Sequence, residues 1–479
     1  MGVFDKIKQA AAEAVESALA EPEKPYVDDS RSLFVGFQTN ANGDVIGLAP
    51  CGPHVAVFAG TGSGKTRKTL VPQIVTWDGP VCAVSAKSDL AEYAAEHRAA
   101  KLGGPQYMMD LTGQADWSKL PKDMIPLSND PCAMLTPDSY GSTDDSAMDL
   151  ATLLLQLGQL AMGGGKGGGG GDAPLWQQLA LGTLACLLQA GAGYPDPKTG
   201  EWVDGGGIDW VRRAALNPGG DEVQEGDDVD LDTPSWDTAA LRASLIDSTH
   251  VDEVIGTKAL EPKQRDSAGI NMRAALGNWA KRSVRGNRSN QAFTPDLLAD
   301  PTATFYLVSP DTGGGASAAA AVIESLVSHW KLNSIREGLP KISMVIDESP
   351  QICPLPSLDK HIGVMRSYGM HFMVAAQHSS QYDLRFGEAM TKVLLNIFPS
   401  ILIGVGAIEE ELIKRAAWAE PPTERQVAST DANGRKSYSA DTVETYHAAE
   451  LLPRHEGEGR LLYRGLAGMK VKLVDFSQM

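Results

Sequence analysis

The stretch that most constrains the fold is VFAGTGSGKTRKTLVP, residues 57–72. An apolar strand runs into a glycine-rich loop and then into a helix. That path aims backbone N–H groups inward at a helix N-terminus and so suits phosphate oxygens. Gly60, Gly62 and Gly64 permit the path, with Thr61 and Ser63 between them. Lys65 supplies a charge for the β- and γ-phosphates, and Thr66 a hydroxyl for Mg²⁺. Where a GxxxxGK[ST] loop has its first glycine, this chain has Ala59. The position closes the strand, and alanine fits it if its φ is negative. The expected cofactors are ATP and Mg²⁺.

Such a site needs an acid at the end of a second buried strand, and ISMVIDESP provides one. Asp347 would bind Mg²⁺ and Glu348 would polarise the attacking water. Thirty residues on, HFMVAAQ ends in Gln377, a neutral side chain that would sense the γ-phosphate or merely cap its strand. Around these lie HVAVF (54–58), VCAVS (81–85), QYMMD (106–110), TFYLVS (304–309) and SILIGV (400–405). Continuous rather than alternating hydrophobicity predicts strands covered on both faces, hence an α/β fold with a mostly parallel sheet.

No such run occurs between about 145 and 300, where DSAMDLATLLLQLGQLAM, APLWQQLALGTLACLLQ and DSAGINMRAALGNWAKR read as helices. The chain is therefore expected to comprise an N-terminal helix or tail (1–30), a nucleotide-binding domain in two parts (31–144 and 301–479) and an inserted all-α domain (145–300). Within the insertion, GGGKGGGGG (163–171) reads as a flexible link, Trp176 as core, and 192–235 as a partly disordered excursion.

Composition narrows the class. Five scattered cysteines, never in a CxxC pair, argue for a reducing compartment and against a disulfide framework or zinc ribbon. Nine histidines show no HExxH spacing. No run of about eighteen apolar residues suggests a membrane-spanning helix, and the weakly amphipathic start lacks the apolar centre of a signal peptide. A net charge of −18 excludes a protein that coats DNA nonspecifically. The charge is uneven, however: acids crowd between Asp221 and Glu253 around Arg242 alone, and a basic stretch follows from Lys258 to Arg288. That stretch would suit a narrow channel contact, or a solvated face.

At this point a resemblance becomes specific. DESPQICPLPSLDKHIGVMRSYGMHFMVAAQHSSQY resembles the stretch of the type IV secretion coupling proteins (the TraG/TraD conjugation ATPases) that runs from an acidic pair through an arginine–glycine turn to a glutamine. HVAVFAGTGSGKTRKTLVPQIVTWDGPVCAVSAKSDL is similar to their phosphate loop and next strand, and LLPRHEGEGRLLYRGLAGMKVKL to their closing strands. The chain departs from the family at Ser349, where a bulky residue is usual, and around Lys87, where DPKGE is usual. The family's opening membrane helices are also not seen in it.

The resemblance implies a RecA-like ATPase that assembles as a homo-hexamer around DNA in a central pore, with Arg366 completing a neighbour's site in trans. It further implies relaxase or secreted-protein cargo, and a cytoplasmic protein held at the inner face of the bacterial membrane by a channel component. A DNA translocase of the FtsK/HerA type and an ATP-binding cargo receptor that does not pump are the competing readings.

Overall fold

The seven apolar runs all become strands of one twelve-stranded sheet in the computed structural model of the chain. It describes residues 33–479 apart from 41, 136–142, 162–172, 221–229, 312–313, 420–422, 431–435, 444–446 and 465–467. In chain order the strands are β1 (Phe37–Thr39), β2 (Val45–Leu48), β3 (His54–Phe58), β4 (Val81–Ser85), β5 (Gln106–Asp110) and β6 (Ile125–Pro126). A small hairpin, β7 (Gly193–Pro195) with β8 (Trp202–Asp204), stands apart from the sheet. Then come β9 (Thr304–Val308), β10 (Ile342–Ile346), β11 (Met370–Ala376) and β12 (Ser400–Gly404). A second separate hairpin, β13 (Thr423–Thr430) with β14 (Lys436–Val443), precedes β15 (Glu458–Tyr463) and β16 (Met469–Lys472).

The sheet order is β2-β1-β16-β15-β12-β3-β11-β10-β4-β9-β5-β6. From β12 to β6 every neighbouring pair is parallel. Beyond β12 every pair is antiparallel. Continuous hydrophobicity in the central strands has the cause expected of it. Successive side chains of β3 point to opposite faces: Val55 and Val57 join one buried cluster, Ala56 and Phe58 the other. Leu70, Ile74 and Ala94 cover the first face, and the long helix Gly314–Glu337 covers the second through Ile323, Leu326 and Trp330.

Between β6 and β9 the chain is mainly helical, with Asp144–Ala161, Ala173–Ala192, Gly207–Ala214, Trp236–Ser244, Val251–Lys258 and Pro262–Leu276 as its principal helices. Two of them meet closely at Gly158, where a Cβ would stand 2.8 Å from the backbone of Ala275. The stretch is not purely helical, and much of the segment expected to be disordered is ordered. The hairpin β7–β8 and the helix Gly207–Ala214 occupy it, and Arg242 explains how. That arginine, the lone cation of the acidic run, is 1% exposed rather than at the surface. It donates to the carbonyls of Ala190 (2.9 Å), Gly205 (2.6 Å) and Leu231 (2.8 Å), and it stacks on Trp210 and Tyr194. The expected N-terminal helix, the polyglycine link, the surroundings of Trp176 and the acids at 221–229 lie outside the described residues.

Candidate nucleotide-binding site

The parallel order brings the ends of β3, β11 and β10 side by side, so residues far apart in sequence converge just beyond their carboxyl ends. The loop after β3 is fixed at its base by Ala59 N–H to Ala376 O (3.2 Å) and Gly60 N–H to Val405 O (3.1 Å). Ala59 is buried and is not among the described non-glycine residues with positive φ, so the departure at this position costs the loop nothing. Gly62 and Gly64 have φ of 73° and 78°, the left-handed region open to glycine. Gly60 is needed for a different reason: a Cβ there would lie 3.0 Å from the backbone of Gly406. Thr66 opens a five-residue π-type turn, Thr66–Leu70, that leads into the helix Val71–Thr76.

Lys65 reaches across to the end of β10. Its Nζ lies 2.8 Å from Asp347 Oδ1 and 2.7 Å from Glu348 Oε1. Burial works to lower the lysine's pKa, but the two carboxylates outweigh it and hold the ammonium above its ordinary value. Gln377, at the end of β11, donates from Nε2 to the same Glu348 oxygen at 3.4 Å. Glu348 Oε2 and the buried Ser63 Oγ have no hydrogen-bond partner among the described residues. Glu348 also takes a left-handed backbone, φ 45° and ψ 39°, which an L side chain adopts only at a cost. Lys65, Asp347, Glu348 and Gln377 are thus brought together beside Gly60–Thr66.

Arg366 is not part of this cluster. It precedes β11 whereas Gln377 follows it, and that seven-residue strand separates the two by roughly 20 Å. Its charge is felt instead at the amino-terminal ends of the central strands. There burial, then His371 and Arg366, hold the imidazole of His54 down at about 3.

Several residues that sequence reasoning missed support the site. Asp89 lies close enough to Asp347 to be influenced by it, and burial first of all raises its pKa. Glu409 accepts from Ser379 N–H (2.6 Å) and Oγ (2.7 Å), and Gln381 accepts from Gln377 N–H (2.9 Å), steadying the turn after β11. The two cations after Thr66 are held from the far end of the chain. Arg67 pairs with both oxygens of Asp475 (2.7 and 3.0 Å) and lies over the rings of Tyr93 and Phe476, and Lys68 pairs with Glu456 (2.9 Å). Sequence separations of 388 and 408 residues leave no local signal for these pairs.

Part of the basic stretch is paired with acids. Lys258 bonds Asp237 and Gly220 O, Arg285 bonds Asp209, and Arg288 lies 3.3 Å from Asp204. No helix of the described residues is long and apolar enough to cross a membrane. All five cysteines are buried and free, and burial pushes the Cys51 thiol up to about 12.

Known proteins resemble the chain in sequence and in fold. Residues 4–109 match the family model for type IV secretory system conjugative DNA transfer. Residues 341–456 match that for the TraM recognition site of TraD and TraG. None of the curated proteins matches the sequence. Among solved structures, the unbound bacterial conjugative coupling protein TrwBdeltaN70 aligns with a TM-score of 0.54 at 14% identity, over 93% of this chain and 90% of that one. TrwB in complex with the non-hydrolysable ATP analogue ADPNP aligns at 0.51 and 15% identity, over 88% and 85%. VirB4 of Thermoanaerobacter pseudethanolicus aligns at 0.50 and 12% identity, over 93% and 97%. The fold is the RecA-like ATPase fold that these proteins share.

Proposed function

We propose that this chain, whose two ends match family models of the type IV secretion coupling proteins, is an ATP-driven motor that recruits DNA or DNA–protein substrates and moves them in conjugative transfer. The observation that carries this reading is the position of Lys65, which reaches from the loop after β3 to Asp347 and Glu348 at the carboxyl end of β10. An ammonium beside two acids, a glycine loop and an unpartnered buried hydroxyl make a donor set that fits a nucleotide triphosphate with Mg²⁺.

The backbone of Gly60–Thr66 would cradle the phosphates, with Thr61 and Ser63 as loop members, and Thr66 and Asp347 would hold Mg²⁺. Bound ATP supplies the phosphoanhydride whose hydrolysis releases the energy for movement. Lys65 exchanges its carboxylate partners for phosphate oxygens. Glu348 then presents Oε2, unpartnered here, to take a proton from the attacking water, while Gln377 orients beside it. Arg366 stands too far from its own loop to take part, which supports a role in the site of the next subunit of a homo-hexamer. Cargo recognition is assigned to the helical insertion, and attachment at the membrane to a partner in the secretion channel.

Glu348→Gln tests the chemistry. It keeps Asp347 and the loop, so binding of an ATP analogue should stay within about threefold, while turnover should fall about a hundredfold or more. Turnover near the wild-type rate would remove the base assignment. A receptor that binds ATP without pumping would instead show no steady-state turnover in the wild type.

A further inference from the structure

Beside Glu348 the fold buries a hydroxyl that the reaction above leaves unused. Tyr382 lies on the helix Ser380–Phe386, which packs against the short helix Ser349–Ile352 that Glu348 caps. It is 3% exposed, its ring edge-on to Phe58 at the end of β3 (6.4 Å) and stacked on Phe386 (6.3 Å). The hydroxyl has no hydrogen-bond partner among the described residues. A buried hydroxyl in that condition destabilises the fold and calls for a second state that uses it. Glu348 Oε2 is an equally unpartnered buried acceptor. Burial raises the phenol's pKa, the Ser349 hydroxyl works to lower it, and the charge of Glu348 raises it further, so both neighbours lie within reach. Ser349, 1% exposed and one of this chain's departures from the coupling proteins, leaves the ring its room. We propose that Tyr382 is a positioning residue for Glu348: when Lys65 leaves for the phosphates, the tyrosine hydroxyl donates to Glu348 Oε2 and takes over the orientation of the carboxylate. The proposal rests on the motor reading above and names a residue that prepares its base.

Lys65 and Gln377 both hold Oε1 of Glu348, at 2.7 and 3.4 Å. Exchange of Lys65 for phosphate removes the shorter, charge-assisted bond. A carboxylate left on one long bond is free to turn about its stem. An ionised carboxylate offers about four lone-pair sites on its two oxygens. One site on Oε2 can accept from Tyr382 while another on the same oxygen meets the attacking water. Gln377 on Oε1 and Tyr382 on Oε2 then fix the carboxyl plane from both ends. One element governs both tethers. Gln377 N–H is held by the side chain of Gln381 (2.9 Å), the residue before Tyr382 on the same helix.

Tyr382→Phe removes the hydroxyl alone and keeps the ring against Phe58 and Phe386. In steady-state ATP turnover it should lower kcat about tenfold while KM stays within about twofold. Its urea midpoint should equal or exceed that of the wild type, because the lost hydroxyl had no partner in the nucleotide-free fold. A tyrosine that only supports the structure would do the reverse, losing stability at an unchanged kcat, and that result would overturn the proposal. In a Glu348→Gln background, Tyr382→Phe should change the residual turnover less than about twofold, since the carboxylate it positions is gone. A full tenfold loss there, about as large as in the wild-type background, would show that the hydroxyl acts elsewhere. Ser349→Ala keeps a small side chain and should leave kcat within about twofold. A loss matching that of Tyr382→Phe would make the serine the hydroxyl's partner and overturn the assignment to Glu348. If Glu348→Gln itself turns over near the wild-type rate, the base assignment falls and this one with it. If Glu348→Gln is inactive and Tyr382→Phe keeps the wild-type kcat, Tyr382 alone loses its role and the motor reading stands.

Discussion

Glu348 carries its carboxylate on a backbone that resists it. A left-handed conformation costs a residue with a Cβ of order 1–2 kcal/mol, and glycine escapes that cost. Glu348→Gly should therefore be more stable than Glu348→Ala by about 1 kcal/mol in urea unfolding, although both lack turnover. Equal stabilities would show that the position is unstrained. Lys65 makes a second, pH-dependent prediction. Its pKa is raised in the folded protein, so its pairing stabilises the fold fully below the ordinary value of 10.5, and that stability is lost only as pH rises through the raised value. The stability difference between wild type and Lys65→Met should stay flat from pH 6 to 9 and shrink above about 10.5. The residues of the loop and of the Asp347–Glu348 pair were legible because their chemistry demands fixed types at fixed places on strands. Asp89, Glu409 and Gln381 were not, since a polar residue at a strand end looks the same whether or not the fold turns it towards the site.

Among the elements, the parallel strands other than the two-residue β6 could be read from sequence because burial on both faces leaves unbroken apolar runs. The antiparallel extension obeys a different rule. β2 is exposed along its length, with Val45, Ile46 and Leu48 at 47, 59 and 67%, so no burial pattern marks it. β15 and β16 were anticipated only through family resemblance. The hairpin β7–β8 was missed because its glycine-, aspartate- and proline-rich sequence carries no core of its own. Its order is supplied by Arg242, a residue some forty positions downstream. Helix packing in the insertion includes one especially close approach. At Gly158 the helix Asp144–Ala161 meets the backbone of Pro262–Leu276, and Gly158→Val would force a branched side chain into a gap of 2.8 Å. The expected cost is about 1–3 kcal/mol, read as a lower urea midpoint. An unchanged midpoint would mean that the two helices separate without penalty.

For the whole molecule, the proposed trans role of Arg366 would make activity a property of the assembly. Arg366→Ala subunits mixed with Lys65→Ala subunits should regain part of the turnover that each has lost, at interfaces where an intact loop meets an intact arginine. No recovery in verified mixed rings would make Arg366 a local structural residue. The clasp on the phosphate-loop helix is also a property of the molecule as a whole. Arg67 above all holds Asp475 well below the usual carboxylate range. Its contribution is therefore present above the ordinary value of 3.8 and lost as pH falls through the depressed one. The stability gap between wild type and Asp475→Asn should hold from pH 7 to 5 and close below about pH 4. Because Arg67 directly follows the hydroxyl expected to meet Mg²⁺, residues 475–479 lie beside the moving part of the engine. A dye attached near Met479 would sense the filling and emptying of the loop as a change in its own brightness, whereas a bulky purification tag placed there would dampen the cycle it was meant to help study.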